Sequence, residues 1–324
     1  MTSVATVIDN LQWGARALDA LSGSPRLDAE LLLGKVLALS RAGLIARSSE
    51  PVEMQSEQAY AGLIDRRLQG APVAYLTGTR EFWSLPLTVT PAVLVPRPET
   101  ELLVQLALER IPERHAHPVV HRIVPADPIL LAQQARSADQ VLAAHPIPST
   151  GPVGSVLDLG TGSGAIALAI ASERPGLRVT GVDISPAALE VAIQNSRDLG
   201  LAHIHWRLGS WFEAVPGEKF DVIVANPPYV AAADPALQSL TAEPTIALTA
   251  GATGLDALSA IAGAAASHLN DGGWLLLEHG SDQAPDVARL LERHGFTAVR
   301  SQVDFSSKPR VTLGTLHSHH QERP

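Results

Sequence analysis

VLDLGTGSGAIALAIA, residues 156–171, passes from a short apolar run through three alternating glycines into a longer apolar run. The first run is brief and bounded by glycine, which predicts a buried strand; the second, from Ala165, predicts a helix. Gly160, Gly162 and Gly164 between them let the backbone turn sharply and let a ligand lie against bare main chain. Outward from this turn, RVTGVD predicts the next strand. SPAALEVAIQNSRDLG predicts a helix, with Ser185 as N-cap and Pro186 at the first helical position. IHWRLGS, FDVIVAN and GGWLLLEHG read as three further strands, and TAVRSQVDF and RVTLGTLH as two late ones forming an edge hairpin. Such alternation predicts an α/β fold. Its doubly wound, mostly parallel sheet has an antiparallel edge and helices on both faces.

The chain before this body has a different rhythm. Residues 1–77 read as a small helical domain, with apolar residues at helical spacing in LQWGARALDAL, DAELLLGKVLAL and YAGLIDRRLQG. Asp28 is expected to cap the second helix, and Gly23 and Gly70 to lie at helix ends. Residues 78–97, rich in Val, Leu, Thr and aromatics, predict a β-hairpin linker. The body then runs over 98–324, opening on a helix with Pro98 in its first turn. Residues 112–152 are Pro-, His- and Ala-rich and read as a surface insertion or linker in which ILLAQQARSADQVLAAH is a helix candidate. His115, His117 and His121 lie there among prolines with no nearby carboxylate set, so they are expected to be incidental and no metal site is predicted. Residues beyond His317 are expected to fray.

With 324 residues and 46% apolar content, the chain has room for two domains and a substantial core. It has no cysteine, which excludes disulfides and thiolate metal sites. No apolar run approaches the roughly 20 residues that span a bilayer. Asp9, Asn10 and Arg16 interrupt the place where a signal peptide would be apolar. A soluble, cytoplasmic protein with no membrane association is expected. Residues 1–80 hold eight basic and eight acidic side chains, so the other 16 basic and 25 acidic residues carry the whole net charge of −9. With no concentrated basic run, direct nucleic-acid binding is not expected.

A glycine turn between strand and helix also fits a nicotinamide dinucleotide site or a plain tight turn. Two details favour S-adenosylmethionine. The spacing is G-x-G-x-G, with Asp158 two residues before the first glycine, and Asp183 ends the following strand 19 residues after Gly164. An acid there can accept both hydroxyls of a ribose. S-adenosylmethionine has no pyrophosphate, so it needs main-chain approach at Gly160, Thr161, Gly162, Ser163 and Gly164 and a ribose acceptor, without a phosphate cradle. Trp211, just after the third strand, reads either as a platform for the adenine or as a core tryptophan.

FDVIVANPPYV then ends a buried strand on a polar side chain, Asn226, backed by Pro227, Pro228 and Tyr229. An amide nitrogen is a poor nucleophile because its lone pair is delocalised. A site that accepts hydrogen bonds from both N–H groups favours a lone pair aimed at an electrophilic methyl. The Asn226 side-chain oxygen is one acceptor and the Pro227 carbonyl the other. Each proline fixes φ near −65°, and Pro228 pushes Pro227 towards an extended conformation, so that carbonyl is aimed in advance. Tyr229 offers a π face to the planar group and to a sulfonium.

At these residues the chain resembles the class I methyltransferases that modify planar amino groups. LVPRPETE, DLGTGSGAIALA, GSWF, NPPYV, EPTIALTAG, LLLEHG and RVTLG follow the order seen in the HemK-type release factor glutamine N5-methyltransferases. The resemblance covers nearly the whole chain, and implies a Rossmann-like methyltransferase domain behind a helical N-terminal substrate-recognition domain. It implies methylation, by S-adenosylmethionine, of the glutamine in the Gly-Gly-Gln motif of class I peptide chain release factors. The donor, leaving as S-adenosylhomocysteine, would contact Gly160 to Gly164, Asp183, Trp211 and Asn226; the glutamine would be held by Asn226, Pro227, Pro228 and Tyr229. The insertion 112–152 departs from the family, which usually makes a short connection there. A ribosomal-protein glutamine and a flipped nucleic-acid base are the alternative substrates. A non-enzymatic sensor would leave the intact Asn-Pro-Pro-Tyr turn unexplained. Arg97, Glu99 and Glu101 read either as substrate-entrance residues or as a helix cap and surface pairs. Glu278 and His279 end the fifth strand, where they could face the crevice, with His279 reading as structural before catalytic.

Overall fold

The computed structural model describes residues 5–111 and 154–317, so residues 112–152 and those after His317 lie outside the described residues. The chain forms two compact units, one reaching Thr79 and one beginning at Arg80.

The first unit is helical: α1 (Val7–Leu18), α2 (Pro25–Leu37), α3 (Arg41–Ala46), α4 (Met54–Leu68) and α5 (Val73–Thr77). Thr6 and Asp9 cap α1 reciprocally, which satisfies main-chain donors that a helix start leaves bare. Leu11, Leu18, Leu32, Leu33, Tyr60 and Ile64 form its core. Gly14 is required there, because a Cβ at that position would lie 2.0 Å from the Tyr60 hydroxyl oxygen. Asp28 does not cap α2. Pro25, with its preset φ, starts the helix and leaves Ser24 as N-cap, and Asp28 instead accepts from Arg67 on α4 at 3.1 Å.

A hairpin, β1 (Thr79–Phe82) and β2 (Leu85–Thr88), begins at the last residue of the first unit and is followed by α6 (Glu101–Arg110). Then β3 (Ser155–Leu159), α7 (Ala165–Glu173), β4 (Arg178–Asp183), α8 (Pro186–Asp198), β5 (His205–Leu208) and β6 (Phe220–Ala225) follow the predicted alternation. α9 (Asp256–Ala265), β7 (Leu269–Glu278), α10 (Ala284–Arg293), β8 (Thr297–Val303) and β9 (Pro309–Thr315) complete it. Ser185 caps α8 by accepting from Ala188 N, with Pro186 at the first position.

The sheet order is β5-β4-β3-β6-β7-β9-β8. Strands β3 to β7 run parallel, and β9 is antiparallel to both β7 and β8. The late hairpin thus inserts its second strand beside β7 and leaves β8 as the edge. Strand alternation sends successive side chains to opposite faces. Val156, Val222, Val224 and Leu276 join α6, α7 and the hairpin residues Phe82 and Leu87 on one face. Leu157, Leu159, Ile223, Ala225 and Leu277 join α9 and α10 on the other. Both faces are covered, so the strands read as continuous apolar runs.

One buried side chain ties the hairpin to the glycine turn. Asn195 on α8 accepts from Thr88 N at 2.7 Å and donates to Thr88 O and Ser163 O at 3.0 and 2.9 Å. Asn195 is 1% exposed, and replacing it with leucine leaves one donor and two acceptors without this partner. Asn195→Leu is expected to lower unfolding free energy by about 1 to 3 kcal/mol, measured by urea denaturation; an unchanged midpoint would refute the tie.

Candidate functional site

A cavity of about 450 Å³ opens at the carboxyl ends of β3, β4 and β6. That size suits a small-molecule ligand. The strand order reverses between β3 and β6, and in such sheets the crevice forms where the following loops part in opposite directions.

The glycine turn forms one wall. Gly160 N and Thr161 N both donate to Val182 O at 2.9 Å, which lays the turn across the end of β4. Gly160 and Gly162 have φ of +71° and +56°, the left-handed region that favours glycine. Gly162 N donates to Asp183 Oδ2 at 2.8 Å and Ser185 N to Oδ1 at 2.9 Å. The Asp183 carboxylate is thereby fixed by two main-chain donors while each oxygen keeps a free lone pair at the cavity wall. Gly160, Thr161, Gly162, Ser163, Asp183, Trp211, Asn226 and Pro228 line the cavity.

Gly164, Pro227 and Tyr229 are not part of that lining. Gly164 starts α7, where a Cβ would meet Trp206 and Leu168 at 3.0 Å, so it serves close packing of helix on sheet. Trp211 lines the cavity and packs on the core of the α9–α10 face. Its φ of +46° is strained for a bulky residue and sets the indole against the bare face of Gly160, where an added Cβ would lie 3.4 Å away.

Asn226, half buried, forms the facing wall. Its Nδ2 donates to Thr100 Oγ1 at 3.1 Å, and both side chains lie beside the buried Glu278 carboxylate and act to lower its pKa. The turn that follows is clamped. Tyr229 O accepts from Gln283 Nε2 at 3.0 Å, and Gly254, at φ +75°, lets the main chains meet where a Cβ would lie 2.2 Å from that oxygen. Val230 bridges Thr249 in parallel. Burial, followed by the neighbouring Glu278 charge, pushes the Tyr229 hydroxyl up to about 12, so it stays protonated. Thr100, Gln283 and Gly254 escaped the sequence reading. Their only signal was position inside the quoted PRPETE segment or beside the EHG and TAG glycines.

The three PRPETE side chains separate. Arg97 lines the cavity rim and pairs with the buried Glu243. Glu101 accepts from Trp83 N at 2.9 Å and anchors the hairpin. Glu99 is half buried, near Glu278 and Tyr229. His279 is fully buried between Gly280 O and Thr312 Oγ1 at 2.8 and 2.7 Å, and burial lowers its pKa, which fits a structural role. Among the described residues no three His, Asp or Glu side chains gather as a metal site, and no helix is long and apolar enough to cross a membrane.

Comparison with known proteins agrees with this architecture. The PrmC N-terminal domain family matches residues 9–78, and a methyltransferase domain family matches residues 152–293. A release factor glutamine methyltransferase of Xylella fastidiosa is 42% identical, covering 89% of this chain and 92% of that protein. Those of Salmonella typhimurium and Escherichia coli are 40% and 38% identical, covering 95% and 93% of this chain and 99% and 97% of theirs. The chain belongs to the release factor glutamine methyltransferase family.

In this release factor glutamine methyltransferase family member, an acid lies beneath each wall of the cavity. Glu278 follows Leu277, the ladder partner of Ala225, and so lies beside Asn226, and Asp158, with no exposure, sits under the glycine turn. Asp158 Oδ2 accepts from Thr161 Oγ1 at 2.5 Å and Ala167 N at 3.3 Å, while Oδ1 has no partner. Burial outweighs these bonds and pushes Asp158 up to about 7 from 3.8. The raised value means that the folded state holds the proton more tightly than the unfolded chain. The resulting stability is fully present below about pH 4 and is lost as pH rises through about 7. Asp158→Asn should therefore gain thermal stability relative to wild type between those pH values, by a few kcal/mol at the upper end. A wild-type-minus-variant difference independent of pH would contradict this.

Proposed function

We propose that this protein transfers a methyl group from S-adenosylmethionine to the side-chain amide nitrogen (N5) of the glutamine in the Gly-Gly-Gln motif of class I peptide chain release factors. The observation that carries the reading is the Asn226 carboxamide, held at the cavity wall beside the glycine turn by its hydrogen bond to Thr100. Family membership supports the same reaction.

The residues present fit the donor. A Cβ on Gly162 would meet nothing within 4 Å, so bare main chain faces open space. Gly160, Thr161, Gly162 and Ser163 hold the methionine portion, Asp183 accepts from the ribose hydroxyls, and Trp211 flanks the adenine. When bound, S-adenosylmethionine supplies an electrophilic methyl on a sulfonium and leaves as S-adenosylhomocysteine. The Asn226 oxygen and the Pro227 carbonyl accept the two N–H groups of the substrate glutamine and orient its nitrogen. The Tyr229 ring packs on the planar group. The methylated nitrogen then loses its extra proton to water, so no side chain has to act as an early base. Alignment of the reactants carries most of the rate.

Residues 1–77 form the recognition domain for the release factor, residues 78–97 the linker and residues 98–324 the catalytic domain. The net charge of −9 disfavours a nucleic-acid substrate. The protein works in the cytoplasm, where translation terminates.

Incubating the purified protein with labelled S-adenosylmethionine and a release factor should place one methyl on that glutamine, located by peptide mass spectrometry. Labelling of a ribosomal protein or tRNA, with the release factor untouched, would overturn the assignment. Asp183→Ala should weaken donor binding in calorimetry by about tenfold or more, as loss of a charged hydrogen-bond acceptor does. Asn226→Ala should keep the fold and lower kcat by about 10²- to 10³-fold, the usual effect of removing a preorganised polar group; near-normal turnover would end its catalytic role.

A further inference from the structure

The two ends of a carboxamide have nearly the same shape, yet only the oxygen accepts hydrogen bonds. Asn226 serves the proposed reaction in one of its two orientations alone. We propose that Glu278, together with Thr100, is a positioning residue that holds Asn226 with its oxygen towards the methyl-accepting nitrogen. This rests on the reading of the site given above.

The parallel register pairs Ala225 with Leu277, so Asn226 and Glu278 leave the sheet as neighbours. Glu278 is 1% and Thr100 4% exposed, so water does not compete for their bonds. The direction of each bond follows from donor and acceptor capacity. Asn226 Nδ2 gives a hydrogen to Thr100 Oγ1, which leaves the Thr100 hydroxyl hydrogen to turn to the neighbouring Glu278 carboxylate, and the Asn226 amide also acts on that carboxylate to lower its pKa. An ionised carboxylate only accepts. A network that ends on it runs in one sense, with both amide hydrogens drawn inward and the amide oxygen left facing the cavity. Turning the amide over would set its oxygen against a carboxylate oxygen in a poorly solvated interior, where such repulsion is strong. Glu278 Oε2 has no hydrogen-bond partner, so this buried acid is not there as part of a satisfied structural network.

The holding action depends on the charge of Glu278. Burial is the largest influence on it and pushes it up to about 7. The titratable groups that face it are Arg310 on β9, Glu99 ahead of α6 and Tyr229 beyond β6. Once protonated, the acid gains a donor, can bond to the amide oxygen, and no longer selects one orientation. Turnover at saturating donor should therefore fall on the acid side with uptake of one proton. Asp158 also titrates near pH 7, but it lies under the glycine turn, so its effect belongs to donor affinity.

The test measures kcat at saturating S-adenosylmethionine, and the donor Kd by calorimetry, across about pH 5.5 to 8.5. Wild type, Glu278→Gln, Thr100→Val, Thr100→Ser and Asn226→Ala are compared. Wild-type kcat should rise through a single limb centred near pH 7. Glu278→Gln should keep the donor Kd, lose the limb and lower kcat by about 10- to 100-fold, as loss of partners that orient metal ligands does. Thr100→Val should show a similar kcat loss, and Thr100→Ser should restore it. Glu278→Gln with full kcat and the limb intact overturns the proposal, as does donor affinity that falls in step with kcat. If Glu278→Gln does not fold, Thr100→Val with wild-type kcat overturns it instead. Wild-type turnover by Asn226→Ala would refute the underlying reading of the site. An inactive Asn226→Ala beside a fully active Glu278→Gln refutes the positioning role alone.

Discussion

Leu159 and Ala225 are paired in the parallel ladder of β3 and β6, so Gly160 and Asn226 leave the sheet side by side. The rest of the site depends on that register. Strands β4 and β5 lie beyond β3 on one side and β7 lies beyond β6 on the other, so the two loops part and leave a crevice between them. The distance from glycine turn to carboxamide is therefore set by hydrogen bonds between strands, the stiffest part of the fold. A slip of one residue in this pairing would send Asn226 to the opposite face and abolish the arrangement.

The segment after β6 needs separate support, since it runs from Asn226 to the start of α9 with only short helical turns. Its proximal end is fixed by the two prolines, by Gln283 holding Tyr229 O and by the Val230–Thr249 bridge. Its distal part is drawn towards the cavity rim by Glu243, which pairs with Arg97. A site that works by orientation cannot let its acceptors wander, and these contacts tie the segment to Gln283, to Arg97 and to itself.

The alternation of strands and helices was legible because glycine and proline punctuate it and because both sheet faces are buried, giving unbroken apolar runs. The N-cap at Ser185 was legible for a local reason, as was the polar stop at Asn226. Asp28 was misread because a carboxylate near a helix start resembles a cap, while Pro25 had already fixed the first helical residue. The role of Gly164 in packing was hidden because glycine spacing does not distinguish ligand approach from helix approach. The left-handed backbone of Trp211 and the bond between Asn226 and Thr100, 126 residues apart, leave no periodic trace in sequence. Pattern reading detects which face a residue takes, and these features depend on what occupies the space opposite.

Asp158 and Glu278 nonetheless interrupt that pattern in the same way. Each is a carboxyl in a strand otherwise apolar and fully buried at that end, and each is held near a pKa of 7 by burial. A core optimised for stability alone would replace both with apolar residues, since an ionised buried acid opposes folding. Their positions, one under the glycine turn and one under the Asn-Pro-Pro-Tyr turn, give a physical reason to retain them. Asp158 accepts from the Thr161 hydroxyl and from Ala167 N, which ties the glycine turn to the start of α7, and Glu278 lies beside the Thr100 and Asn226 side chains. The polar interruptions in buried strands were thus the sequence signal for the supports of the site, just as the glycines and prolines were for its walls.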